Sequence, residues 1–387
     1  MRVRFHNSYA DIDPSVWDRL IDSECPFTRH AFLLLMERHA GESHSWRSMP
    51  LSISDADGET VWVMPLYARE DSFGEYVFDY LWANAYHRAG LPYYPKLISA
   101  VPFSPIESPR WGAAPGADVQ ALLELSRRAI AERAADGGYS SWHILYPPER
   151  ALGELRTAGG FALRPQCRFA WDNRGYGSFD DWLGEMQARK RKSVRRERRI
   201  VRDAGLRVEA LPGGDVTPWQ WREFYAMYQS SYLKRGMYPY LPLQFFEEMA
   251  EAMPESVVLF RVDDAERPGE CLAASLCLRD GEQLYGRYWG CLREVDCLHF
   301  EVCYYATVEY CIAEGLVRFD SGVQGEHTKV PRGFAPHLAH SVHWFAHPEF
   351  ARAVGEFIQR EARHVKAHCG ALAQALPYRR SGAAGAD

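Results

Sequence analysis

One stretch, Leu284 to Phe334, limits the folds open to this chain more than any other. It reads LYGRYWG, then LHFEVCYYATVEYC, then RFDSGVQGEHTKVPRGF: a strand, a helix, a second strand and a Gly/Lys/Arg loop. A strand–helix–strand run of this kind belongs to an α/β layer architecture, whose strand and helix ends form ligand crevices. His299, Glu301, Asp320, Gln324, Glu326, His327, Lys329 and Arg332 all fall at such ends. A segment that only packed would instead spread its polar residues along solvent faces. The stretch reads as a site.

The rest of the chain supplies two α/β units. With 387 residues, 47% hydrophobic and 25% charged, it can build two cores of ordinary size. Residues 1–175 read as a first unit, with strand-like runs WRSMPLSISD, TVWVMPLYAR, EYVFDYLW and PKLISAVPF. A helix follows at about 119–135, with Leu122, Leu125, Ala129 and Ile130 on one stripe. Residues 176–375 read as a second unit: a long helix at about 178–204, then strands and helices ending in a helix from about Pro348. Residues 376–387 carry too little apolar content to bury and are expected to be an unstructured tail. The fold class expected is a mixed-sheet α/β protein.

Nine cysteines with no CxxC pair read as reduced core thiols. His337, His340, His343 and His347 are not at metal-ligand spacings, so no metal is expected. No apolar run reaches the ~18 residues of a membrane span, and no N-terminal apolar segment suggests export. A cytoplasmic location is expected, with peripheral membrane contact left open.

Arg189, Lys190, Arg191, Lys192, Arg195, Arg196, Arg198, Arg199 and Arg202 crowd one segment of a chain whose net charge is −6. Leu183, Met186, Val194 and Val201 form a narrow apolar stripe, so the segment can dock as an amphipathic helix. The like-charged pairs Lys192/Arg196, Arg191/Arg195 and Arg195/Arg199 each cost roughly 0.2–0.5 kcal/mol. Binding of a polyanion explains the pattern better than a solvated face does: a nucleotide diphosphate, CoA, tRNA or anionic headgroups.

The runs YAREDSFGEYVFDY, YYPKLISAVPFSP, RKRKSVRRER, LYGRYWGC, LHFEVCYY and GVQGEHTKVPRGF together resemble the FemAB-like family of N-acyltransferases, from about Pro26 to Val365. The resemblance implies a tandem GNAT-like acyl-CoA N-acyltransferase fold, related to the bacterial FemABX aminoacyltransferases of peptidoglycan synthesis. It also implies a phosphate-holding loop, carried here by Lys329, Arg332, Gly333 and Phe334 after Asp320 and Gly322, and phosphate-facing Arg191, Arg195 and Arg196. The family pattern GEHKxARGY is replaced by GEHTKVPRGF, and Pro331 removes one backbone donor from that loop.

Acyl transfer to an amine needs a base, donors for the tetrahedral oxyanion and contacts for the donor's carrier. Glu326, His327 and His299 are the candidate acid–base residues. The helix from His299 is expected to bury Phe300, Cys303, Tyr304, Thr307, Cys311 and Ile312, which puts His299 and Glu301 roughly 200° apart. Arg287 and Tyr288 alternate along a strand, so one of them, Arg287 for preference, should face the crevice; Tyr288, Asp320 and Gln324 complete the substrate candidates. No Gly-rich pyrophosphate loop precedes the helix, which tilts the co-substrate from acetyl-CoA toward aminoacyl-tRNA or a longer acyl group on CoA or acyl carrier protein. No tightly bound cofactor is expected. The acceptor is an amine on a peptide, a lipid precursor or a metabolite; the many aromatics fit an extended groove. The alternative is a non-catalytic module that binds a phosphorylated cell-wall or lipid precursor.

Overall fold

The computed structural model describes residues 1–41, 45–265 and 267–379. Contacts divide the chain into Met1–Cys167 with Leu338–Ala367, and Arg168–His337 with His368–Asp387. Beside the expected split at 175/176, the contacts break at Cys167/Arg168, and residues 338–367 group with the first unit.

In the first unit an antiparallel sheet joins Arg2–Phe5, Leu51–Ser54, Thr60–Met64 and Gly112–Ala113. The strands Lys96–Ser99 and Ser141–Leu145 pair in parallel. Parallel neighbours need a crossover, and the helix Val119–Gly137 supplies it. Asp118 caps that helix by accepting from Ala121 N, and Gly138 ends it at φ +68°. Leu122 and Ile130 of the predicted stripe are buried, joined by Leu123, Ser126 and Ala134.

The run EYVFDYLW is a loop followed by the helix Tyr80–Arg88, not a strand. A short apolar run cannot be told from a helix by periodicity alone. Trp82 and Tyr86, one turn apart, are the buried face. The polar residues of this motif hold a cation: Lys96, fully buried, donates to Glu75 (2.8 Å), Asp79 and Ser72 (2.7 Å). Burial, only partly offset by Lys96, pushes Glu75 up to about 7.

In the second unit, strand β1 is Ala162–Asp172, entering at Arg168. Helix α1 is Ala188–Asp203, β2 Leu206–Pro212, α2 Pro218–Leu233, α3 Leu243–Ala252, β3 Val257–Asp264, β4 Arg267–Arg279 and β5 Gln283–Cys291. Helix α4 is continuous through Leu298–Phe300, a π-helical stretch Glu301–Ala306, and Thr307–Ala313; β6 is Arg318–Asp320 and α5 Glu326–Lys329. The sheet order is β2-β3-β4-β5-β6-β1. All pairs are antiparallel except β5 with β6, which α4 connects.

Two features of this sheet position the site. Strands β5 and β6 pair from Gln283 with Arg318 as far as Tyr285 with Asp320, after which β5 runs on to Cys291 beside β4 alone. The register with β4 also slips: Leu276 faces Tyr288 while Cys277 faces Gly286, so Arg287 is an extra, bulged residue.

The long helix expected at 178–204 is two, Phe179–Gly184 and α1, because Met186 turns aside to pair with Tyr378. Of the expected tail, residues 376–379 are docked: Tyr378 donates to the Gly333 carbonyl at 2.7 Å, and Gln187 N donates to the Pro377 carbonyl at 2.8 Å. Residues 380–387 lie outside the described residues.

Helix α2 lies hard against β5 at a glycine. A Cβ at Gly290 would stand 2.2 Å from the Met227 carbonyl oxygen, a backbone atom that cannot swing away. Gly290→Ala is therefore expected to cost about 1–3 kcal/mol. Urea unfolding measures this, and an unchanged midpoint would show that α2 can yield.

Candidate functional site

Where β5 leaves β6, a cavity of about 150 Å³ opens. Its floor is Ser275, Cys277 and Phe319; its walls are Arg287, Tyr288 and Trp289 of β5 and His299, Cys303 and Tyr304 of α4; Ser321 and Lys329 close it. Both Arg287 and Tyr288 reach the cavity, contrary to the one-or-the-other expectation, because the bulge breaks the alternation. The Arg287 guanidinium lies 5.0 Å over the Tyr288 ring and donates to its hydroxyl at 3.3 Å; that hydroxyl meets Tyr240 at 2.9 Å.

The π-helical stretch of α4 faces this cavity. Such segments widen one turn and often mark functional sites. Here the stretch carries Cys303 and Tyr304 at the wall and turns Glu301 inward, where it accepts from Arg198 of α1 at 3.0 Å.

His299 keeps an exposed edge at the cavity, yet its ring is packed edge-on against Trp289 (5.4 Å), Phe300 (5.9 Å) and Tyr304 (5.4 Å). Desolvation, followed by the positive charges of Arg332, Lys329 and Arg235, pushes its pKa down to about 4. Lys329 is buried and donates to the carbonyls of Ser321 (2.5 Å) and Gly322 (3.2 Å). Burial lowers it to about 8, with Asp320 opposing and Arg168 assisting. Asp320 is itself committed, accepting from Arg168 at 2.6 Å and from Gly322 N at 2.7 Å. Burial would raise its pKa, but Arg168 and the Gly322 amide outweigh burial and hold it below the usual carboxylate range.

Several sequence candidates are placed elsewhere. Arg332 is buried and holds the fold together: it donates to Glu197 (2.9 Å), Tyr305 (2.9 Å) and the Thr328 carbonyl (2.9 Å), with its guanidinium 3.4 Å above the Phe300 ring. Its donors are turned inward rather than toward a phosphate. Gly333, at φ +88°, serves close packing, since a Cβ there would stand 2.6 Å from the Tyr378 hydroxyl. Asp320 braces β6 rather than meeting a substrate. Gln324 and His327 are exposed, and neither they nor Glu326 line the cavity. Glu326 instead accepts from His368 at 2.8 Å. Pro331 sits in the opening turn of a short 3-10 segment, Val330–Arg332, where a missing N–H costs little.

The basic helix resolves into two faces. Glu197, the acid within its basic run, points inward to Arg332 and the Tyr305 hydroxyl. Arg198 stacks on Phe179 at 4.3 Å and pairs with Glu301 and Glu309. Arg191 donates to the Met186 carbonyl at 3.3 Å. Arg189, Lys192, Arg195, Arg196, Arg199 and Arg202 are exposed, Arg195 in a surface pair with Asp180. The exposed face is thus strongly cationic.

Sequence reasoning missed Ser275, Cys277, Cys303 and Ser321 as cavity walls. Their neighbours in sequence are apolar or turn residues, and only the strand pairing brings them together.

The chain belongs to the FemAB-like family, described as peptidoglycan biosynthesis/recognition, matched over residues 8–380. Its fold is the tandem GNAT-like fold of that group. FemX superposes with a TM-score of 0.53 at 13% identity, over 92% of this chain and 100% of FemX. The C-terminal domain of an Agrobacterium fabrum protein assigned as a lysylphosphatidylglycerol synthetase gives 0.53 at 9% identity, over 90% and 96%. A search of curated proteins finds no significant match. Among the described residues no helix is long and apolar enough to cross a membrane.

The depressed His299 makes stability depend on pH. A histidine whose folded pKa lies below its unfolded value near 6.5 leaves the unfolded chain binding more protons between those two values. Stability therefore rises with pH across about 4 to 6.5. His299→Gln should flatten unfolding free energy against pH in that window relative to the parent protein. Curves that stay parallel would place the His299 pKa near its ordinary value.

Proposed function

We propose that the protein is an N-acyltransferase that moves an acyl or aminoacyl group onto an amine, with the cavity at the parting of β5 and β6 as its reaction site. One observation carries the reading: His299, Lys329 and Arg287 line one cavity together, with no carboxylate among the residues that line it. Desolvation and the neighbouring positive charges lower His299, and burial lowers Lys329, so positive charge on nitrogen is disfavoured there. An amine acceptor entering the same surroundings is likewise biased toward its neutral, nucleophilic form, which is what attack on a carbonyl requires.

The chain's own residues then divide the work. The acceptor nitrogen attacks the acyl carbonyl carbon; the Lys329 ammonium and the Arg287 guanidinium are the candidate donors for the resulting oxyanion. As the C–N bond forms, the nitrogen becomes acidic, and His299, neutral at physiological pH, takes its proton and passes it to the departing thiolate or alkoxide. Glu326 and His327, on the outer turn, retain a role at most in holding α5.

The family description supports a peptidoglycan precursor as the source of the amine. The exposed cations of α1 support a polyanionic donor, aminoacyl-tRNA or an acyl thioester on CoA or acidic carrier protein. Such donors are made in the cytoplasm, so the proposed location is cytoplasmic.

Transfer of a radiolabelled acyl group from charged tRNA or acyl thioesters to an amine panel tests the reading. Lys329→Met and His299→Gln are expected to lower kcat by about 100-fold or more, while the double change Glu326→Gln/His327→Asn stays within about 3-fold of the parent. The opposite ranking would move the reaction site to the outer turn. Separately, log affinity for the donor should fall with log salt, and Arg195→Glu/Arg196→Glu should flatten that slope by about two phosphate contacts. A salt-insensitive donor would exclude α1 from binding it.

A further inference from the structure

The rim of the cavity carries a surface that acyl transfer itself does not call on. Helix α2 ends beside β5: Ser231 donates to the Trp289 carbonyl at 2.7 Å and Lys234 to the Cys291 carbonyl at 3.5 Å. Gly236, at φ +69°, then reverses the chain, with Met237 N donating back to the Tyr232 carbonyl at 3.1 Å. The reversal is stapled to the cavity wall, because Tyr240 packs edge-on against Tyr232 at 5.7 Å and meets the Tyr288 hydroxyl at 2.9 Å. The turn is thus held in place, yet every residue from Leu233 to Tyr238 is exposed. Leu233 is 56% exposed, Met237 37% and Tyr238 85%, and Leu292, just past the end of β5, is 58% exposed. Single apolar side chains on a surface are ordinary, but a group of them on a fixed turn marks an interaction site.

The charge around these tips selects the partner. In a chain of net charge −6, the segment between Glu223 and Glu247 holds Lys234 and Arg235 and no acid. Arg293 follows Leu292 and is drawn only loosely to Asp264, at 3.9 Å; Glu294 and Asp296 lie further along that loop. Arg235 is close enough to the cavity to add, after desolvation, to the lowering of His299. Leu, Met and Tyr tips beside Lys and Arg are the make-up of a segment that sits at a lipid interface. The apolar ends enter the headgroup–acyl boundary, the Tyr ring stays at headgroup level, and the cations meet anionic headgroups. A convex turn offers a folded partner no pocket of its own, whereas a fluid interface closes around it.

We propose that the turn Leu233–Tyr238, with Leu292 beside it, docks the protein on an anionic lipid bilayer and brings the mouth of the cavity to the membrane surface. Docking is peripheral and reversible: a few side chains enter the interface and none crosses it. The cationic face of α1 stays free for the proposed donor.

Co-sedimentation of the full chain with vesicles tests this, using phosphatidylcholine alone and phosphatidylcholine with about 30% phosphatidylglycerol. Partitioning onto the anionic vesicles should exceed that onto the neutral ones by roughly tenfold or more and should weaken with salt. Leu233→Ser/Tyr238→Ser should lower it by roughly tenfold or more. Lys234→Gln/Arg235→Gln should lower it by roughly 20-fold, at about fivefold for each cation. Urea unfolding checks that these variants fold as the parent does. In Tyr238→Trp, anionic lipid with brominated acyl chains should quench the added fluorescence, which reports insertion without any loss-of-binding variant. Binding to neither vesicle, equal binding to both, or no added quenching overturns the proposal. So does loss of vesicle binding through Arg195→Glu/Arg196→Glu with none through the turn, or capture of an acidic carrier protein by the turn in place of vesicles. Vesicle binding without acyl transfer to any amine would overturn the transferase reading alone; transfer without vesicle binding would overturn this surface alone.

Discussion

A buried ion pair, Arg168 with Asp320, whose side chains are almost wholly withdrawn from water, anchors the site's side of the second unit. It ties β1 to the last residue of β6, the point at which β6 stops pairing with β5. Asp320 also accepts from the Gly322 amide, so the chain turns sharply, and Lys329 reaches back to the carbonyls of that same turn. The parting of β5 and β6 is thus braced from the β6 side. A buried pair of this kind gives little net stability over an apolar replacement, but losing one partner leaves an uncompensated charge and costs about 3–5 kcal/mol. Its value here is positional: it keeps the cavity open and Lys329 inside it.

A second clamp acts from the other wall. Glu197 of α1 joins Arg332 and Tyr305, and Glu301 joins Arg198, so the basic helix is fastened to α4 by acids withdrawn from the surface. Both clamps use carboxylates to fix the frame. The cationic outer face of α1 and the acid-free cavity are therefore two consequences of one arrangement, in which the acids nearest the site are spent internally. A lysine-centred network does comparable service in the first unit, where Lys96 gathers Glu75 and Asp79 beneath the loop that carries them.

Much of this was legible in the sequence, and the misses have a common physical cause. The strand–helix–strand order of 284–334, the helix near 119–137 and the docking stripe of the basic helix all rest on local periodicity, which side-chain spacing reports directly. The direction in which a charged residue points does not. Arg332 and Gly333 lie in a Gly/Lys/Arg loop that looks phosphate-ready, yet Arg332 turns inward because Glu197, 135 residues away, is waiting for it. One sign was present: Val194, Glu197 and Val201 fall at i, i+3 and i+7, so the acid of the basic run lies on the buried stripe rather than the solvent face. The bulge at Arg287 and the π-helical stretch of α4 were invisible for another reason. Each inserts one residue into a regular repeat, and nothing in residue type marks where the repeat gives way.

In the proposed reading, those two irregularities position the chemical groups. Regular alternation along β5 would have sent either Arg287 or Tyr288 away from the cavity, and the π-helical stretch of α4 carries Cys303 and Tyr304 at the wall and Glu301 to Arg198. Both distortions sit at the same place as the lowered His299 and Lys329. Disrupted repeats cost stability, and here both fall at the walls of the proposed reaction site. An ammonium on neutral carbonyls, a guanidinium on a bulge and an imidazole between aromatic rings fit the proposed reaction, in which negative charge develops on the acyl oxygen when an amine attacks.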